Sequence, residues 1–591
     1  MKEKLATLMR ERIRGIRAFG LRQYVPRALL SFFVSLSYFA LNNPNLFTSK
    51  AFYSDRQLVG VILLATCLFL LSLLLPSDRV ASLGAVCAAT FYFCISAMTV
   101  NDYGFALCAS LFVCAIAIYT DLRPRERDIG GRRLYIGVAL LSCLFILFVG
   151  GLCCLYHQSY YTQTYDFGIF SQMFYYMKET GECLTTCERD GLLSHFAVHF
   201  SPIYYLLLPF YLLIPKPETL LWLQAIVVAS GVLPVLFICR RLAFSRRATL
   251  AFSVIYLLYP AFLAPNFYYL HENCFLTPII LWLCYFLLCE RYLPAIGVSL
   301  LLLLVKEDAP VYLAVVALYF LFSGKQKRKA LALLLMAVSA FVLITQLMGI
   351  YGEGVMSDSR YGDYIYDDGG LLTVVKACLQ NPAYAVRQIF REEKLLFILE
   401  MLAPLAFLPL LTRRPSRLIL FIPFLLVNLM TSYVYQYNVG FQYVYGSGAL
   451  LFFLALINAA EWDRNRARLL LCALLCSVIV FAGGSAHRIG FIAQYNATEK
   501  MRTEIDTALA MIPEDAPVAA STLLVANLSS RDVVYELETT KHARECAYIA
   551  VDLRFDSSAS ASKYPSSRYE CIYYVDGVIA LYRNLELTVT D

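Results

Sequence analysis

The feature that most constrains this chain is a recurrence. Apolar runs near or above the roughly 17 to 25 residues that carry a helix across a hydrocarbon core return along most of its length. They lie near residues 26–42, 57–76, 80–99, 103–120, 133–156, 218–239, 246–264, 273–290, 292–305, 309–323, 328–350, 394–411, 417–434, 443–459 and 466–484. Because a segment in lipid must satisfy its own backbone hydrogen bonds, such runs are expected to be helices, about fifteen of them.

Composition narrows what else the chain can be. Of 591 residues, 59% are hydrophobic and 16% charged, which excludes a disordered scaffold and a string of soluble domains. The net charge of +7 comes from 50 basic against 43 acidic residues with no basic tract longer than a loop, so no nucleic acid is expected as a partner. Most of the nineteen cysteines lie inside apolar runs, where a thiol acts as a small apolar group. Cys183, Cys187, Cys546 and Cys571 lie outside them, as two disulfides on an oxidising face or as free thiols in a reducing setting.

Lysine and arginine are retained in short cytoplasmic loops, so their placement predicts orientation. The N-terminal stretch from Lys2 to Arg27, the loop with Arg123, Arg125 and Arg127, and the pairs Arg240–Arg241 and Arg246–Arg247 fall on one side if the spans alternate. Lys325 with Lys327, Arg413 with Arg414, and Arg464 with Arg466 continue the pattern. The alternation requires that 201–214, short and carrying Pro202 and Pro209, does not cross. Three regions follow: five spans in 1–156; a membrane core in 157–486 with outer loops 157–217 and 351–393; and a polar tail in 487–591. The tail's alternating apolar segments predict a small extracytoplasmic α/β domain. The expected location is the cell membrane, multi-pass, with the N-terminus cytoplasmic and the C-terminus outside.

Charged and histidine residues at the edge of an apolar framework are costly and read first as functional. Four groups fall on the predicted outer side. In YDFGIFSQ, Asp166 opens a surface-lying helix that also carries Gln172; an aspartate at such a position also serves as a helix cap. In SHFAVHFSP, His195 and His199 are four apart, a spacing that presents both on one helical face to a metal or a phosphate, although two histidines are too few for a metal site. In NFYYLHENCF, His271 and Glu272 stand where one span ends and the next begins. In VKEDAP, Lys306, Glu307 and Asp308 interrupt two apolar arms, a placement suited to an anionic headgroup or phosphate as well as to mutual neutralisation. The outer loop 351–393 adds Glu353, Asp358, Arg360, Asp363, Asp367, Asp368, Arg391, Glu392 and Glu393 among tyrosines, a mixture common to sugar sites and to any wet loop.

These residues carry a resemblance. The succession YDFGIFSQ, HFAVHFSPIYYLLLPFYLLIP, ETLLWLQAI with Pro234, LLYP, NFYYLHE and LLLLVKEDAPVYL is similar to a family of uncharacterised prokaryotic membrane proteins that looks like a branch of the GT-C glycosyltransferase superfamily. The resemblance covers 140–485 most closely and extends more loosely to STLLVANLSSRDVVYEL in the tail. It implies a GT-C-like, all-α polytopic fold and a polyprenyl-phosphate-linked sugar as donor. The implied partners are an envelope glycan, lipid or protein as acceptor, together with membrane lipids, and the implied chemistry is inverting transfer at the extracytoplasmic face. Asp166 then matches the acidic residue of the first large outer loop, as base or as ligand of a divalent metal. The leaving phosphate then requires cationic groups, for which Lys306 is the first candidate and His271 and His195 the next, and Gln172, His199, Glu272, Glu307 and Asp308 are the remaining candidates for the substrate site. Here Asp166 is followed by Phe167 rather than by a second acid, and the loop follows the fifth span rather than the first. A transporter or flippase of a lipid-linked or anionic substrate, and a catalytically inactive scaffold of the same fold, are compatible with the same residues.

Overall fold

The computed structural model describes residues 19–47, 52–75, 77–122, 128–324, 326–354, 358–366, 371–463, 465–555 and 566–587. The basic residues from Lys2 to Arg17, together with Arg123, Arg125, Arg127, Lys325, Arg464, Asp367 and Asp368, lie outside the described residues. The molecule is mostly helical. Among the described residues, eight helices are long and apolar enough to cross a membrane: Leu21–Asn42, Asp55–Ser72, Asp78–Val100, Gly131–Gln158, Pro217–Arg241, Lys327–Tyr351, Gln442–Ala459 and Arg466–Gly484. Arg246–Leu258 and Pro260–Tyr268 add a ninth if taken as one span, bent by 55° where Pro260 withholds its backbone donor.

Among the described residues eight or nine helices, against the expected fifteen, are long and apolar enough to span, for two reasons. Tyr103–Tyr119, Glu272–Leu288, Tyr292–Leu303 and Ala309–Ser323 are apolar but shorter; at about 1.5 Å per residue they fall below the roughly 30 Å of hydrocarbon. Residues 394–411 and 417–434 are not continuous helices at all. Glu392–Leu402 gives way to tight turns at Ala403–Leu405 and Leu408–Leu410, with Ala406 and Phe407 left-handed at φ 49° and 53°. Pro404, Pro409, Pro415 and Pro423 break the ladder there. The segment 201–214 forms only the turn Pro202–Leu206 and the six-residue helix Leu208–Leu213, too short to cross, and its Phe210, Leu212 and Leu213 are exposed.

The core is built around Tyr445–Ala459, buried along its whole length. Close approach requires glycine here: a Cβ on Gly446 would lie 2.4 Å from the Tyr312 ring, and one on Gly448 2.9 Å from Ala261. At one end of the bundle the basic clusters form a common rim. Arg468 pairs with Asp121, Arg414 and Arg417 share Glu461 at 3.0 and 2.8 Å, and Arg247 and Arg466 line one cavity with Asp463. Leu287, Leu288 and Ser323 line a cavity with Arg414 and Arg417. The helices Glu272–Leu288 and Ala309–Ser323 therefore run from the predicted polar residues at one end to the basic rim at the other.

Among its described residues the tail carries the helix Glu499–Leu509 and five strands: β1 (Val518–Ala520), β2 (Val534–Glu536), β3 (Tyr548–Asp552), β4 (Tyr569–Val575) and β5 (Ile579–Asn584). The sheet order is β2-β1-β3-β5-β4. β1 pairs in parallel with both β2 and β3, with Val518 opposite Val534 and Tyr548, and β5 runs antiparallel to β3 and β4. Its apolar face buries Ile505, Ala508, Leu524 and Leu581 together with Tyr160 of the outer loop, so the tail and that loop share one core.

Candidate functional site

After the helix Gly131–Gln158 the chain does not enter a helix at Asp166 as expected; it turns first. Asp166 adopts φ 68° and ψ −69°, a left-handed conformation that a β-carbon strains by about 1–3 kcal/mol. A regular helix begins only at Ile169 and runs to Glu179, so Asp166 is not its cap. The turn aims the carboxylate at Tyr268 and His271 of NFYYLHE. His271 Nε2 lies 3.4 Å from Asp166 Oδ2, with the Asp166 side chain 30% exposed and the histidine buried. His271 is fixed from three sides: its backbone N–H donates to Gln224 Oε1 at 2.9 Å, Nδ1 donates to the Tyr269 carbonyl at 3.2 Å, and Tyr268 stacks on its ring at 5.3 Å. Burial alone would raise the Asp166 carboxyl; His271 and the Tyr268 hydroxyl outweigh it and hold the group below the ordinary carboxylate range.

Behind His271 lies a buried ionic layer. Lys306 Nζ donates to Glu272 Oε1 and reaches Asn273 Oδ1 at 3.5 Å, while Tyr204 donates to Glu272 Oε2 at 2.6 Å. His199 Nδ1 contacts Glu307 Oε1 at 2.9 Å, and the other Glu307 oxygen accepts from Phe200 N–H at 3.3 Å. The turn 304–308 is tied to the outer loop, Ile203 N–H donating to the Leu304 carbonyl at 2.9 Å. Asp308 sits at the start of Ala309–Ser323; burial pushes its carboxyl up to about 7, with Glu307 and Glu272 adding to the effect and Lys306 opposing it.

His195 and His199 lie on one short turn, His195–Ala197, rather than on a regular helix, and their rings still sit together at 5.7 Å, with His199 N–H donating to the His195 carbonyl at 2.9 Å. Each takes its own carboxylate: His195 Nδ1 meets Glu188 Oε2 at 2.9 Å and its Nε2 lies 3.3 Å from Ser201 Oγ. Burial lowers the His195 imidazole, and Glu188 more than reverses this, so the group is raised overall. Among the described residues no three histidine, cysteine or acidic side chains converge as a metal site. Asp166 with His271 supplies too few ligands for the divalent metal that the resemblance implies. All nineteen cysteines are free thiols, Cys183, Cys187, Cys546 and Cys571 among them.

Gln172 stands apart from this cluster, fully buried on the tail side. Its amide N–H₂ meets Thr186 Oγ1 and the carbonyls of Arg531 and Asp532 at 3.0, 3.2 and 3.1 Å, and its oxygen accepts from Thr185 Oγ1 and Thr186 N–H at 2.9 and 2.8 Å. In its place the structure brings in residues that the sequence reading left undistinguished. The Arg360 guanidinium packs 3.8 Å from the Tyr433 ring and 5.1 Å from the Tyr443 ring, donating to Tyr443 O–H at 3.2 Å. Tyr443 is within electrostatic reach of both Lys306 and Asp166. His271 Nε2 is taken up by Asp166 at 3.4 Å, whereas two buried atoms around this group, Asp308 Oδ1 and Arg360 Nη1, have no hydrogen-bond partner among the described residues. Each costs about 1–3 kcal/mol if nothing fills it.

A family model described as predicted membrane protein (DUF2079) matches residues 156–579, well over half of the chain, and the chain belongs to that family. The match begins at the first outer loop and takes in the tail. No curated protein and no solved structure matches the chain.

Proposed function

We propose that this protein is a membrane glycosyltransferase of GT-C type, moving a sugar from a polyprenyl-phosphate-linked donor to an envelope acceptor at the extracytoplasmic face, with the basic rim in the cytoplasm. The observation that carries the reading is a partly exposed carboxylate, kept ionised by His271 and Tyr268, beside two buried polar atoms, Asp308 Oδ1 and Arg360 Nη1, that await a partner.

In this reading Asp166 accepts the proton of the acceptor hydroxyl as its oxygen attacks the anomeric carbon. The bond from that carbon to the donor phosphate breaks on the opposite side, configuration inverts, and the polyprenyl phosphate leaves as an anion. The leaving charge calls for a cation. Lys306 is largely committed to Glu272, whereas Arg360 offers an unused N–H in a planar fork suited to phosphate oxygens. The exposed apolar side chains of Phe210, Leu212 and Leu213 on one flank and Leu372, Val375 and Leu379 on the other suit a donor that arrives laterally from lipid.

The test is Asp166→Asn in cells carrying the gene as their sole copy. A proton acceptor of this kind is worth roughly 10²–10⁴ in rate, so incorporation of the sugar into surface glycan should nearly stop while the protein level holds. Unchanged glycan composition would remove Asp166 from the chemistry. Purified protein that moves labelled polyprenyl-phosphate sugar between leaflets of a vesicle but transfers none of it would replace transfer with flipping.

A further inference from the structure

We infer that the C-terminal domain is a positioning element for Asp166, and that Thr522 is the residue through which it acts. The inference rests on the catalytic role proposed above for that carboxylate. Strained backbone persists only where its surroundings hold it, and at Asp166 the holding residues come from more than 350 positions away. On one side of the strained residue, Thr164 N–H donates to Thr522 Oγ1 at 3.2 Å and Thr164 Oγ1 donates to the Thr522 carbonyl at 3.1 Å. On the other side, Gly168 packs so closely that an added Cβ would lie 3.3 Å from Val525 Cγ1. The five residues Thr164–Gly168 thus span two points of contact on the short helix Thr522–Val525.

Thr522 is itself well supported. It lies two residues beyond the end of β1, its N–H donates to Glu538 Oε2 at 3.1 Å, and the intervening Ser521 is fixed by its N–H to the Ala550 carbonyl at 2.9 Å and by Asp552 N–H to its Oγ at 3.0 Å. This edge, at the carboxyl ends of the parallel strands β1, β2 and β3, is where an α/β sheet ordinarily takes a ligand. Here the enzyme's own loop occupies it. Arg554, paired with Asp552 at 2.6 Å, donates to the carbonyls of Ser159 and Tyr160 at 3.1 and 2.7 Å. Release of the domain from this edge would free Asp166 to relax to negative φ and swing its carboxylate away from His271. Docking of the tail and readiness of the site are therefore one event.

The experiment uses full-length protein in nanodiscs for hydrogen–deuterium exchange and the same variants in cells for glycan incorporation. Thr522→Val deletes the hydroxyl at nearly constant shape; Thr522→Ser retains it. Thr522→Val should speed exchange in peptides covering 160–168 and lower incorporation on the order of tenfold to a hundredfold, the effect of an ångström-scale misplacement. Its melting temperature should stay near that of the wild type, and Thr522→Ser should restore both readouts. If Thr522→Val does not fold, Thr164→Val removes the reciprocal bond from the loop side and takes its place. Wild-type exchange across 160–168 in a folded variant overturns the inference, whatever the incorporation. Faster exchange together with an Asp166→Asn protein that still transfers sugar upholds the positioning and discards the catalytic reading instead.

Discussion

Two polar networks flank the same short helix, Ile169–Glu179, and they are built on opposite plans. The network on the tail side, centred on Gln172, is complete: the amide meets partners on both its oxygen and its nitrogen, and Tyr176 adds a bond to the Asp532 carbonyl at 2.7 Å. The network on the membrane side, around Asp166, His271, Asp308 and Arg360, is left open, with two buried atoms unsatisfied and a backbone strained at its centre. Gln172 and Asp166 are six residues apart and equally polar in an apolar stretch. The tail side is a closed joint, whereas the membrane side keeps buried hydrogen-bonding capacity in reserve.

The contrast can be broken at its deepest member first. Lys306→Met leaves the Glu272 charge buried without its counter-ion, which costs about 3–5 kcal/mol, and thermal unfolding should show a large drop. Adding Glu272→Gln should recover much of it, because the two residues act as a pair. Gln172→Ala should cost less, about 1–3 kcal/mol, by orphaning Thr186 N–H and two carbonyl contacts. Its signature is easier proteolysis between tail and loop, with glycan incorporation reduced only as far as the tail comes loose. An incorporation loss as large as that of Asp166→Asn, in a protein whose tail stays docked, would erase the distinction between the two networks.

The smallest effect is a slope. Asp308 titrates near 7 in the folded protein against an ordinary 3.8, so between those values the native state holds a proton that the unfolded chain has released. Stability should therefore fall as pH rises from about 4 to about 7, and Asp308→Asn should flatten melting temperature across that interval. Asp166 runs the other way. Its lowered carboxyl contributes stability above the ordinary carboxylate range, lost only as pH falls through the lower folded value, so Asp166 stays charged in mildly acid medium.

The stranded residues were legible because hydropathy makes them conspicuous. His271, Glu272, Lys306, Glu307 and Asp308 interrupt apolar runs, and the structure gathers all five. Arg360, Tyr433 and Tyr443 were not legible as a site, since an arginine among tyrosines in a polar loop has no local mark until its guanidinium is seen stacked and unpaired. Glu188, in the sequence ERD, looked like ordinary loop charge and proves to be the buried partner of His195. The span count failed at 394–411 and 417–434 because summed hydropathy is blind to backbone, although four prolines stood there to be read.

What the amino-acid order determined alone is the solvent of each segment: long apolar runs commit helices to lipid, basic residues collect in a shared rim, and an alternating tail folds as a separate small sheet. Those properties follow from local composition and need no partner. What only the tertiary structure decided is the difference between Asp166 and Gln172, and between Lys306 and Arg360. Whether a polar atom is satisfied depends on groups hundreds of residues distant, such as Thr522 against Thr164 and Arg531 against Gln172, and no local pattern encodes that pairing.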